Sequence, residues 1–247
     1  MVRAEVTRLR CRPIVGRLPV LLGPSITVST WAAFASGISL HSAQQLRAVS
    51  GTMGMALVVL AFAVGGVTVQ DGFTSGMTAT DHALLGRRHA ELAAQQLAAG
   101  CWAAAIAVVV QLSLAAGFVL GHLSQGGAPI TAHAWLRATV TAMPRLALAS
   151  LLAASLGTAA VQLTRSAPAA IGALLTALLV LDGAIVAAVP AAVPLLLADH
   201  LLATAKGSTI GLADGAWTGG TASIAAVLGV VVVGLAALGI EGRRDLL

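Results

Sequence analysis

One carboxylate stands deep inside an apolar run, Asp182 in "LLVLDGAIVAA". A charge at the centre of a bilayer costs about 2.5–3.5 kcal/mol on insertion scales, so such a group faces protein or a water-filled cavity. There it acts either as a pathway-lining, proton-linked group or as a neutral acid bonded across a helix interface. Arg145, in "TAMPRLALAS", is placed to partner Asp182 from an adjacent span or to snorkel to the outer interface. The other concentration of chemistry is residues 71–92, "DGFTSGMTATDHALLGRRHAEL". It sets Asp71, Asp81, Arg87, Arg88 and Glu91 between two apolar runs.

Residue types that enzymes use are present but not assembled. There is no H-E-x-x-H pair, no G-x-S-x-G, and no second intramembrane aspartate to complete an aspartyl dyad. His41, His122, His133 and His200 fall in predicted outer segments, His82 and His89 in an inner one, and loop solvation accounts for them. Cys11 and Cys101 lack metal-ligand spacing and read as free thiols. The phosphate loop G-x-x-x-x-G-K-[ST] needs a lysine after its second glycine, but Lys206 stands in "AKGST" with that order reversed. The expectation is a chain with no catalytic residues, no metal and no cofactor of its own. Any ATP-driven work must then draw on another polypeptide.

The elements that position these residues follow from composition. Of 247 residues, 58% are hydrophobic and 9% charged, and the mean hydropathy is +0.94. A soluble domain carries about 25% charged residues, so most of this surface faces lipid. Nothing in the composition points to nucleic acid. A bilayer core about 30 Å thick takes roughly 20 apolar residues as helix, or about 10 alternating ones as barrel strand. The apolar runs here are long and do not alternate, which predicts helices. Six spans are expected, near 18–38, 52–70, 97–121, 140–162, 169–189 and 221–240, forming one transmembrane domain over residues 1–247.

Thirteen arginines and Lys206 set the orientation. With the N-terminus inside, ten of these fourteen cations fall on the cytoplasmic side: Arg3, Arg8, Arg10, Arg12, Arg17, Arg87, Arg88, Arg165, Arg243 and Arg244. Arg47, Arg137, Arg145 and Lys206 fall outside. The positive-inside rule therefore places both termini and residues 71–92 in the cytoplasm. Pro13, Pro19 and Pro24 interrupt the first apolar run and argue against a cleaved signal, so residues 2–12 are expected to form an amphipathic helix on the cytoplasmic membrane face. Residues 39–51 and 121–138 read as outer loops, and "QLTRSAPA" (162–169) as a tight inner turn with Pro168 in the first turn of the next helix. "GFVLG" (117–121) fits small-xxx-small packing. Residues 190–220 are too polar to span and too apolar for a free loop, which suggests a short helix in the outer interface or dipping partway into the membrane.

This layout resembles the permease subunits of ABC-2 type transporters. Six spans, a basic amphipathic N-terminus, a charged segment after span two, a semi-polar segment before span six and a terminal "RRDLL" occur in that order. In the charged segment Asp71 takes the family's acidic place, Ser75-Gly76-Met77 its turn, Leu84-Leu85 its apolar face and Arg87-Arg88 its basic patch. Gly86 stands where the family commonly has Pro. The resemblance implies an all-α polytopic exporter subunit of a bacterial plasma membrane, working beside a second permease copy or paralogue. ATP would be bound by a separate ATPase subunit docked on a cytoplasmic coupling helix within residues 71–92. There Leu84 and Leu85 would anchor, and Asp81, Arg87 and Arg88 would orient. Other classes are an ion-coupled carrier or channel using Asp182, a membrane enzyme, and an assembly or immunity factor on the same scaffold.

Overall fold

The computed structural model describes residues 2, 6–7, 13–35, 43–74, 88–124, 132–176, 201, 203–205 and 219–243. Its elements are helices: α1 (Pro13–Ala35), α2 (Ala43–Thr74), α3 (Arg88–Ser124), α4 (Ala132–Thr164), α5 (Ala167–Thr176) and α6 (Gly219–Arg243). Among the described residues there is no strand. Among the described residues, four stretches are long and apolar enough to cross a membrane: Val49–Gln70, Ala90–Ser124, Leu136–Thr164 and Ser223–Ile240. This is the all-α build of a membrane protein, as the run lengths predict.

The helices outrun the apolar segments that predict them. At 1.5 Å per residue, the 32 residues of α2 reach about 48 Å and the 37 of α3 about 55 Å, against a hydrocarbon core of about 30 Å. Residues 43–51, 121–124 and 132–138, expected as outer loop, are therefore helical. His89, His122 and His133 lie on helix ends for the same reason. Near lipid a helix satisfies its own backbone groups whatever the polarity of its side chains, so it continues until water is available to take over.

The directions of the helices follow from which residues meet. Along α2 and α4 the matched positions rise together: Gly54 with Leu146, Phe62 with Gly157, Gly66 with Val161 and Gln70 with Ala167 just beyond α4. The two helices are thus parallel. So are α1 and α3, which meet at Val15 and Trp102, at Thr27 and Ser113, and at Thr30 and Gly117. Gln111 on α3 bonds Ser50 near the start of α2, while the earlier Gln96 bonds Gln162 near the end of α4, so the two pairs run in opposite senses. Gly234 on α6 lies against Gln96 of α3, while Ser223 bonds Thr204, next to Ala205 at Gly54. Hence α6 runs with α2 and α4. One end of the bundle can be named for Gln70 and the other for Ser50. Leu201, Ala203, Thr204 and Ala205 are buried at the Ser50 end, so the described part of the semi-polar segment dips into the bundle rather than lying on its surface.

The core sits where α2, α3 and α4 meet, with Phe62, Val58, Ile106, Val110, Leu146 and Val161 buried in it. The spanning window of α4 is 67% buried and that of α6 only 22%, so α4 is central and α6 peripheral. Ile224, Leu228, Val231, Val232 and Leu235 point outward from α6, as suits a lipid-facing helix. α1 is held to α3 partly through its own irregularity. Pro19 has no N–H to give the carbonyl of Val15, and the indole N–H of Trp102 donates to that carbonyl at 3.2 Å instead. Gly117 meets the backbone oxygen of Thr27 and the side chain of Thr30, so "GFVLG" packs on α1 through its first glycine.

The tightest approach joins α2 to α4. A methyl group built on Gly65 would strike the carbonyl of Ala154, 2.8 Å from its carbon, and one on Gly157 would strike the carbonyl of Phe62, 2.9 Å from its carbon. Thr158 uses the closeness: its hydroxyl lies 2.9 Å from the Ala154 oxygen and 3.2 Å from the Gly65 oxygen on the facing helix. Substituting Gly65→Ala should force the helices apart and cost about 3 kcal/mol or more, the upper range for overpacking. Gly239→Ala, where no atom lies within 4 Å, should be neutral or slightly stabilising. Thermal unfolding of both variants in detergent checks the contrast, and equal stabilities would disprove the crossing.

Candidate functional site

The segment 71–92 is bounded by described helices at both ends. Asp71 lies in the last turn of α2, which ends at Thr74, and Arg88 opens α3. Gly76, Asp81, Leu84, Leu85 and Arg87 lie outside the described residues, as does Asp182. The pairing of Arg145 with Asp182 therefore has no geometry to judge. The Arg145 Nε–H donates to the carbonyl of Thr141, one turn back on α4 at 3.0 Å, beside the break in the helix ladder at Pro144. No group of three or more His, Cys, Asp or Glu that could hold a metal occurs among the described residues. Cys101 is a free thiol, exposed on α3.

What the structure adds is how the two flanks of this segment are fixed. One residue before Asp71, the Gln70 side-chain oxygen accepts the backbone N–H of Ala167 at 2.8 Å, satisfying a donor in the first turn of α5. On the other flank, Gln96 of α3 donates its amide N–H to the side-chain oxygen of Gln162, near the end of α4, at 2.9 Å. The hydroxyl of Ser155 on α4 lies 2.9 Å from the Leu151 carbonyl and 3.3 Å from that of Gln96. Gln162 is 1% exposed, and Leu92, between Arg88 and Gln96, is fully buried. Glu91 is also buried, in the first turn of α3, where a negative charge is favoured by the helix dipole.

Both flanks therefore seat on one corner, the turn between α4 and α5. The predicted tight turn at 162–169 is present there. Arg165 takes a left-handed conformation, φ 56°, and its N–H closes α4 on the Val161 oxygen at 2.7 Å. The Ser166 hydroxyl accepts the Ala169 N–H at 3.4 Å as the cap of α5, and Pro168 falls in the first turn as expected.

Gln70, Gln96 and Gln162 did not stand out by charge or motif. Their signal is positional: each is an uncharged polar residue in or beside an otherwise apolar stretch, where an amide must find a partner inside the protein. A cavity between α2, α3 and α4, lined by Leu57, Ala61, Val64, Ala103, Ile106 and Ser150, measures about 10 Å³. That is room for one water at most, so it is no substrate site. Hydrogen bonds in this region tie α2 to α5 and α3 to α4.

Gln96→Leu or Gln162→Leu alone should each cost about 1 kcal/mol, because each leaves the other amide without this partner, buried Gln162 in one case and half-buried Gln96 in the other. The double substitution should cost clearly less than the sum of the two. A double-mutant cycle on thermal stability reads this, and strict additivity would show that the bond contributes nothing.

No family model matches the chain, and neither a curated protein nor a solved structure matches it.

Proposed function

We propose that this chain is the membrane-spanning permease subunit of an ATP-driven exporter of the ABC-2 type, with residues 71–92 as the cytoplasmic element on which a separate ATPase docks. The observation that carries the reading is that this stretch joins two helix ends which are both hydrogen-bonded into the bundle, through Gln70 and Gln96. A motor can move a membrane domain only through a connection stiff enough to carry load. Apolar Leu84 and Leu85 beside Arg87 and Arg88 supply the anchors and charges that such docking uses.

Six spans with both termini in the cytoplasm complete the reading. The shared sense of α2, α4 and α6, opposite to α1 and α3, supports it, as does the start of α5 at the Gln70 end. Arg17, Arg88 and Arg165 lie towards that end, which fits a cytoplasmic face in a bacterial plasma membrane. Two copies, or this chain with a paralogue, would enclose the pathway. Few charges and 3% aromatic residues fit a lipophilic cargo such as a drug, antibiotic, peptide or lipid rather than a sugar phosphate.

The test is a pull-down of the detergent-solubilised protein from its native host, comparing wild type with Leu84→Asp/Arg88→Glu. An ATPase bearing a phosphate loop should co-purify with wild type and be lost from the variant. If neither retains one, the reading fails, and loss of transport in Asp182→Asn without any need for ATP would point to an ion-coupled carrier instead.

A further inference from the structure

The proposed docking segment must act on some part of the membrane domain, and the hydrogen bonds at its two flanks identify a single corner. Gln70 leaves the segment on the α2 side and accepts the N–H of Ala167, at the start of α5. Gln96 leaves it on the α3 side and bonds Gln162, in the last turn of α4. The two bonds arrive from different helices and fall five residues apart on either side of one turn. That turn has a defined pivot: Arg165 is left-handed, and among the described non-glycine residues no other has a positive φ. Packing encloses the corner, since Val161, Gln162, Ala167 and Ala170 are all buried, and Gly66 brings α2 up against Val161.

We infer that the α4–α5 turn is the element through which residues 71–92 drive the membrane domain, with Gln70 and Gln96 as the positioning residues that join them. The inference rests on the proposed docking of an ATPase and goes further, by naming where the load goes. A push on the segment shifts the ends of α2 and α3, and both carry the turn with them through these bonds. The rest of α4 is held along α2 by the Gly65–Gly157 crossing, so displacement concentrates at the Arg165 pivot and in α5 beyond it. The described part of α5 is apolar, and its exposed side includes Ala169, Ala173 and Leu175.

A reporter on α5 tests this. In a Cys11→Ser/Cys101→Ser background, Ala169→Cys carries an environment-sensitive fluorophore, and the chain is purified from its host with its co-purifying ATPase in nanodiscs of host lipid. Addition of Mg-ATP should shift the emission. In Gln70→Leu and in Gln96→Leu the shift should fall by about fivefold, within the range that single positions on a coupling route produce, with the ATPase still bound and hydrolysing. Gln70→Glu, whose carboxylate still accepts the Ala167 N–H, should keep the shift, which a loss of mere bulk or polarity would not allow. Should Gln70→Leu not fold, Gln70→Ala removes the acceptor without adding volume.

An unchanged shift in the Leu variants overturns the inference, and so does the absence of any shift in the parent while its ATPase turns over. Absence of an ATPase from the parent preparation is a separate result. It overturns the functional reading, and this inference with it.

Discussion

Two backbones pressed together, α2 at Gly65 and α4 at Gly157, form the contact on which the rest of the bundle depends. In lipid, helices gain little from hiding apolar side chains, since the surrounding tails are equally apolar. Association must come from close packing and from hydrogen bonds made across the interface. Each glycine lies over a carbonyl of the opposite helix, where a methyl group has no space, and Thr158 adds a bond to the Gly65 oxygen across the gap. With α2 and α4 fixed in parallel, α3 lies against both. α1 then follows α3, using Trp102 to satisfy the carbonyl that Pro19 leaves open.

The polar residues of the bundle follow the same economy. At the Ser50 end, Gln111 meets Ser50 and Ser223 meets Thr204; at the other end Gln70, Gln96, Gln162 and Ser155 tie α2, α3, α4 and α5 together. Amides suit this task because they bond without a charge to desolvate. At the end where the charged segment joins the helices, they tie α2 to the start of α5 and α3 to the end of α4. On the proposed reading, this is the end on which a docked ATPase would push.

Much of this was legible in the sequence. Run length gave helices rather than strands, the turn at 162–169 was read from Pro168 and its neighbours, and "GFVLG" marked a packing surface. The helical state of 43–51, 121–124 and 132–138 is not legible, because their polarity suggests a loop, whereas backbone hydrogen bonding near lipid carries the helix on. The crossing at Gly65 and Gly157 was not legible. Twenty-seven glycines are scattered through the chain, and only the packing of α2 on α4 shows which of them face a backbone. Gln70, Gln96 and Gln162 are not legible for a related reason. The partner of a lone amide lies 66 or 97 residues away, and nothing local announces it.

The central claim, that an ATPase bears on residues 71–92, is tested most directly by photocrosslinking in living cells of the native host from a photoreactive amino acid placed at Leu84. The account predicts a specific adduct with a polypeptide that carries a phosphate-loop motif, and none when the photoreactive residue is moved to lipid-facing Leu228 on α6. Adducts with lipid alone at position 84, or with no ATPase among the protein adducts, would contradict it.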